Sequence, residues 1–246
     1  MFKNFVISVG LCLVGIQSVH AGNDKPEQHV NTFTLKLSAS RLIYDAESAG
    51  ATLTVENKQS YPVLVRSRVL KEDKRAIAPF LVTPPLFRLD AGQQTSLGIV
   101  SADGVFASDR EELFWLCVAG VPPEMKSSAA TDGPVSHTGV NINISMNNCI
   151  KLIVRPQTLS GTPLQHITDV TWSQHGKHII AKNNSPYFIN LMNVSVEGRA
   201  VTGVSYLPPF SSTEFSAPGN RGNSVDWNMI NDQGGISQMV HTSLVK

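Results

Sequence analysis

Short alternating runs of apolar and polar residues dominate this chain. Phe33, Leu35 and Leu37 alternate with Thr34, Lys36 and Ser38, the period of a strand that turns one face to an apolar interior. The same rhythm predicts strands over 41–44, 51–56, 63–70, 80–83, 94–100 and 112–118. Tyr61-Pro62, Pro84-Pro85, Asp90-Ala91-Gly92, Asp103-Gly104 and Pro122-Pro123 punctuate them as turns. A second series follows Arg155-Pro156, over 170–172, 178–182, 188–196, 213–215, 224–230 and 238–242. No long amphipathic helix competes and no internal repeat shows beyond this rhythm, so the chain reads as all-β, with two immunoglobulin-like sandwiches.

One stretch departs from the rhythm. Val140, Ile142, Ile144 and Met146 occupy every second position, with Asn141, Asn143, Ser145 and Asn147 between them. After Cys149 the pattern becomes a near-continuous apolar run, Ile150, Leu152, Ile153 and Val154, broken by Lys151 and closed by Arg155 and Pro156. A lysine inside such a run needs a reason. In one reading this is a half-buried strand whose lysine snorkels to solvent. In another it pairs with a second polypeptide, its apolar face filling a foreign core and its lysine holding a foreign anion. The residues alone leave both open.

Composition narrows the field. The 246 residues suit one large domain or two of sandwich size. With 16% charged residues, 41% hydrophobic ones and a formal charge of +1, neither a disordered chain nor a nucleic-acid binder is expected. Segment 1–21 reads as a signal peptide: Lys3, an apolar core from Phe5 to Ile16 too short to span a bilayer, and Val19-His20-Ala21 as the cleavage site, with Gly22 the alternative end. No later run is long enough to insert directly in a membrane. Cys12 should leave with the leader, since Leu11 before it is too bulky for a lipoprotein box.

Cys117 and Cys149 then remain, an even pair bound for an oxidising compartment, so a disulfide is expected. In the chain-entropy picture, closing a loop of this length is worth about 3 to 4 kcal/mol. Segment 122–137, rich in Ser, Ala, Thr, Gly and Pro, reads as a long loop between the strands that carry the two cysteines.

Catalytic signatures are absent: no HExxH, CxxC, Walker loop, GxGxxG or GxSxG, and the histidines are not spaced as metal ligands. Ser243 and Lys246 form an SxxK only at the chain end, and the NxS triplets at Asn143, Asn183 and Asn193 matter only in a glycosylating host. No enzyme, cofactor, metal or nucleotide is expected. A secreted two-sandwich adhesin or carbohydrate-binding module is the competing class; it would need exposed aromatics, and 7% of the chain is aromatic.

Four segments carry a resemblance. TPPLFRLDAGQ (83–93), ELFWLCVAGVPP (112–123), NNCIKLIVRP (147–156) and INDQGG (230–235) closely resemble the periplasmic chaperones of the bacterial chaperone-usher pathway. The cysteine pair, the long loop and the alternating segment before Arg41 resemble the subfamily that serves Afa/Dr adhesins and the plague capsule. The resemblance implies two immunoglobulin-like sandwiches, 22–155 and 156–246, set as an L with a binding cleft between them. It implies fimbrial or afimbrial adhesin subunits and an outer-membrane usher as partners.

The resemblance also assigns residues. Val140, Ile142, Ile144 and Met146 match the strand lent to a subunit that lacks its own last strand, a form of strand addition. Burying four such side chains would contribute about 6 to 12 kcal/mol before ordering costs. Phe33, Leu35 and Leu37 match an N-terminal strand that pairs with the subunit's other edge; an edge strand of the chain's own sheet is the alternative. Arg41 and Lys151 match a basic pair that anchors the subunit's C-terminal carboxylate, whereas without the resemblance Arg41 could form a surface ion pair with Asp45 or Glu47. Glu111, Arg155 and Asp232 match a charge network that joins the two domains.

Overall fold

A computed structural model describes residues 28–121, 140–217, 219 and 222–245. The expected leader 1–21, the loop 122–137 and Lys246 lie outside the described residues.

The alternating runs become strands because each has an interior to face. β1 (Gln28–Phe33), β2 (Lys36–Leu37), β3 (Arg41–Asp45), β4 (Ala51–Glu56), β5 (Val63–Leu70), β6 (Phe80–Thr83), β7 (Leu86–Leu89), β8 (Gln94–Ser101), β9 (Glu112–Val121), β10 (Val140–Ser145) and β11 (Asn147–Arg155) form the first unit. Two of its sheets face each other, a five-stranded one ordered β3-β11-β9-β5-β7 and a four-stranded one ordered β2-β4-β8-β6. Between them lie Leu53, Val55, Leu97 and Ile99 from one sheet and Val65, Leu116, Val118 and Leu152 from the other, the apolar halves of their alternating strands. β1 and β10 form a separate two-stranded ribbon.

The second unit holds β12 (Val170–His175), β13 (His178–Asn183), β14 (Ile189–Val196), β15 (Arg199–Ala200), β16 (Tyr206–Leu207), β17 (Ser212–Ser216), β18 (Ser224–Met229) and β19 (Val240–Ser243). Sheets β12-β13-β17 and β15-β14-β18-β19 enclose Trp172, Ile179, Leu191, Phe215 and Trp227, with β16 pairing to β14. Most expected strands appear within a residue or two of their predicted ends. β7 is hidden from the alternation pattern by Pro84-Pro85 and Asp90-Ala91-Gly92, which punctuate it on both sides, yet it pairs with β5 from Val63↔Leu89 to Arg66↔Leu86.

The two units share a device that their sequences conceal. Asn57, just after β4, is fully buried; its Nδ2 donates to the carbonyls of Tyr61, Leu89 and Asp90, and its Oδ1 accepts from Gln59 N. Asn183, at the end of β13, is equally buried; its Nδ2 donates to the carbonyls of Tyr187, Leu207 and Pro208, and its Oδ1 accepts from Ser185 N. In each unit one amide satisfies carbonyls from two separate turns that would otherwise be buried unpaired. Burial also takes Asn183 out of consideration as a glycosylation acceptor. Asn57→Ala and Asn183→Ala are each expected to destabilise by about 3 kcal/mol, because they strand buried acceptors. Urea unfolding checks this, and a loss below about 1 kcal/mol would contradict it.

Candidate functional site

β10 and the residue after it carry an exposed apolar row. Ile142, Ile144 and Met146 are 40%, 42% and 42% exposed, an unusual concentration of large aliphatic surface on one short segment. Val140 begins the same strand, and its side chain lies outside the described residues. Further along, the even positions Ile150, Leu152 and Val154 are buried in the first sandwich's own core. Apolar even positions therefore recur from one strand to the next, and those of the second are the buried ones.

The ribbon is tied to the sandwich at its root. Met146 N donates to Phe33 O at 3.1 Å, Asn148 Nδ2 to Leu35 O at 2.8 Å and Tyr61 Oη to Thr32 O at 3.0 Å. A Cβ on Gly120 would lie 2.8 Å from Phe33 O, so the chain can pass this closely only over a glycine. Beyond that point β1 runs parallel to β10, from Gln28↔Val140 to Phe33↔Ser145.

The side chains of the N-terminal set expected to pair with a subunit edge turn inward. Phe33 and Leu35 are each 4% exposed and sit in the first sandwich's core, and Leu37 packs against that core on β2. Phe33 also meets Tyr61 edge to face at 5.4 Å between centroids. These side chains fill the end of their own sandwich, so their alternation marks an ordinary core-facing segment. What β1 offers an edge is its backbone.

β11 sets two cations side by side. It runs parallel to β3 with Lys151 paired to Arg41, so both side chains leave the same face of neighbouring strands. Arg41 is 9% exposed; its NH1 reaches Ile230 O at 3.5 Å, and its Nε is buried with no partner among the described residues. Lys151 Nζ donates to Asn190 Oδ1 at 2.5 Å and lies 4.5 Å from the Tyr206 ring centroid. Among the described residues neither cation forms a salt bridge, and the pairing of Arg41 with Asp45 or Glu47 does not occur. Burial, then the charges of Arg41 and Lys74, push the Lys151 ammonium down to about 8. Burial likewise lowers the Arg41 guanidinium, with Asp232 opposing.

Four residues along β11, Arg155 closes the junction between the sandwiches. Its Nε donates to Glu111 Oε1 at 2.6 Å, and NH1 and NH2 donate to Asp232 Oδ2 and Oδ1 at 2.9 and 3.0 Å. Glu111 Oε2 accepts from Phe188 N at 2.6 Å, so the network reaches the second unit through backbone as well as side chain. Beside it Leu113, Ile153 and Phe188 form a small buried apolar cluster with Ile43, Trp115 and Tyr206 at its margin. Cys117 and Cys149, directly opposite on β9 and β11, are joined as a disulfide.

The sequence-based set is thus largely assembled: Arg41 with Lys151, and Glu111 with Arg155 and Asp232, from segments far apart in the chain. Sequence reasoning missed Asn190, Tyr206 and Lys74, which lie around the Lys151 ammonium, and Trp115 and Glu72, which hold Lys74 and Tyr206 in turn. Tyr206 Oη donates to Glu72 Oε1 at 2.9 Å, Trp115 Nε1 donates to Glu72 O at 3.2 Å, and Lys74 Nζ lies 3.7 Å over the Trp115 ring. Only Trp115 had stood inside a recognisable segment. Asn190 and Tyr206 carry no local signal, because their role arises from the second sandwich meeting the first.

Fold and site define a class: a two-sandwich, immunoglobulin-like protein with an exposed strand that leads to two adjacent cations at the domain junction, neither in a salt bridge among the described residues. Residues 34–160 match the pili and flagellar-assembly chaperone PapD N-terminal domain, and 165–241 match the pili assembly chaperone PapD C-terminal domain. The chain belongs to the PapD family of pilus-assembly chaperones, whose role is not enzymatic. It is 38% identical to the chaperone protein AggD of Escherichia coli, over 98% of both chains. It is 39% identical to the chaperone protein caf1M of Yersinia pestis, over 97% of both. Among solved structures it is similar to the E. coli chaperone DraB, with a TM-score of 0.79 and 41% identity over 89% of this chain and 100% of that one. A Salmonella enterica SafA pilin in complex with the SafB chaperone matches with a TM-score of 0.80 and 41% identity over the same shares.

The junction has a testable acid response. Burial pushes the Glu111 carboxyl up to about 7 despite the Arg155 guanidinium and the Phe188 amide, while the unfolded chain keeps an ordinary value near 4.5. Between those values the folded state binds the extra proton. The Glu111 contribution to stability is therefore full below 4.5 and is lost as pH rises through about 7. In Glu111→Gln that part of the slope should vanish from urea midpoints taken across pH 4.5 to 8. An unchanged slope would contradict the assignment.

Proposed function

We propose that this protein is a periplasmic chaperone that completes adhesin subunits with its own β10 strand and passes them to an outer-membrane usher. The observation that carries the proposal is the exposed row of Ile142, Ile144 and Met146 leading to the adjacent cations Arg41 and Lys151, neither in a salt bridge among the described residues. A subunit that lacks its last strand needs both an apolar row for its open core and hydrogen bonds for its open edge, and an exposed strand supplies the two together. The SafA–SafB relative, a chaperone with its pilin, supports that partner class. The N-terminal pattern of 1–21, read as a leader, supports the compartment.

In this proposal Arg41 and Lys151 bind the subunit's terminal carboxylate and so set register. A slip of one residue would turn the apolar side chains away from the groove, so fixing the carboxylate fixes which residues enter. The Glu111–Arg155–Asp232 network acts at one remove by holding the second sandwich against the cation pair. Release needs no nucleotide: another strand with better complementarity displaces β10 at the usher.

Arg41→Ala combined with Lys151→Ala should abolish co-purification with the cognate subunit while leaving the protein folded, because the change removes two neighbouring like charges that are drawn out of water. Wild-type affinity should also fall as pH rises above about 8, where Lys151 loses its proton. Undiminished subunit binding by the double variant would overturn the anchor.

A further inference from the structure

Lys151 has an orientation to keep before any partner arrives, and the second sandwich supplies it. Asn190 is 4% exposed; its backbone pairs with Tyr206 and accepts from Ile230 N at 2.8 Å, so the Oδ1 that receives the Lys151 ammonium is held from a fixed strand. The other groups around the ammonium are Arg41 from β3 and Lys74 from the turn after β5, both cationic, and the ring of Tyr206 from β16, which is neutral. The nearby Glu72 carboxylate is engaged by the Tyr206 hydroxyl. An ammonium has three N–H groups. One that points at an amide oxygen is fixed in direction without being neutralised, and the rest remain for an anion.

We infer that Asn190 is a positioning residue of the anchor: a neutral acceptor that aims Lys151 into the cleft, leaves its charge uncompensated, and thereby makes the site selective for a chain end that carries a free carboxylate. The inference rests on the anchoring role proposed above. Aspartate, nearly the same shape, would satisfy Lys151 from within and close the site to a second carboxylate. Leucine would leave the ammonium without an aim.

The test uses the intact protein and two probes, acetyl-Thr-Val-Thr-Val-Thr-Val with a free C-terminal carboxylate and the same peptide as its C-terminal amide. Calorimetry gives the affinities, and the Nζ resonance of Lys151 gives its titration midpoint. Wild type should prefer the acid by about tenfold or more, the worth of a charge-assisted contact. Asn190→Asp should lose that preference and raise the Lys151 midpoint, because an opposite charge favours the protonated amine. Asn190→Leu should weaken the acid about tenfold with no effect on the amide. The added ion pair favours folding of the aspartate variant, and its thermal unfolding verifies this. Retention of the wild-type preference by both variants overturns the inference. Failure of wild type to distinguish acid from amide overturns the anchor itself, and the inference with it.

Discussion

Two cations face each other across neighbouring parallel strands, and the rest of the site depends on that arrangement. Like charges directly opposite are unfavourable on a sheet, and here both are also drawn out of water. The cost shows in the lowered proton affinity of Lys151 and in an Arg41 Nε that has no partner among the described residues. Most ion pairs relieve such strain by supplying a carboxylate. Here the neighbouring carboxylates make their hydrogen bonds to other groups, Asp232 and Glu111 to Arg155 and Glu72 to Tyr206, although Asp232 still favours the charged form of Arg41. In the proposed anchor, that charge is what receives an anion brought by a partner.

One strand organises everything around that pair. On β11 the odd positions Cys149, Lys151, Ile153 and Arg155 serve in turn as disulfide, cation, apolar contact to the second sandwich and ionic contact to it. Its even positions, Ile150, Leu152 and Val154, face the first core. The pattern changes from alternating to near-continuous where the second sandwich covers the second face. That cover is why Ile153 is apolar where β10 has polar residues. Because side chains on a strand repeat every second residue, holding β11 between β3 and β9 fixes cation, clasp and apolar row together.

Much of this was legible along the chain and some was not. Alternation revealed the strands, and the polar–apolar change after Cys149 marked the segment that matters. The lysine in the apolar run was the visible trace of the site, but its opposition to Arg41 exists only once β3 and β11 pair in parallel. At Phe33 and Leu35 the period alone could not tell a core-facing side chain from a partner-facing one; only burial separates them. The matched roles of Asn57 and Asn183 escaped notice because the repeated feature is a set of hydrogen bonds to distant turns, not a repeated string. Asn190 and Tyr206 escaped for a similar reason, since an interdomain contact leaves no periodic signature.

The central claim is that β10 is a strand kept for another protein. Residue-resolved amide hydrogen exchange over Val140–Ser145, with and without the cognate subunit, tests it most directly. The account predicts that exchange through Ile142 and Ile144 slows on binding, by at least about a hundredfold if the new edge bonds are as stable as an ordinary sheet. Protection gained elsewhere on the chaperone, with β10 exchanging as before, would contradict it.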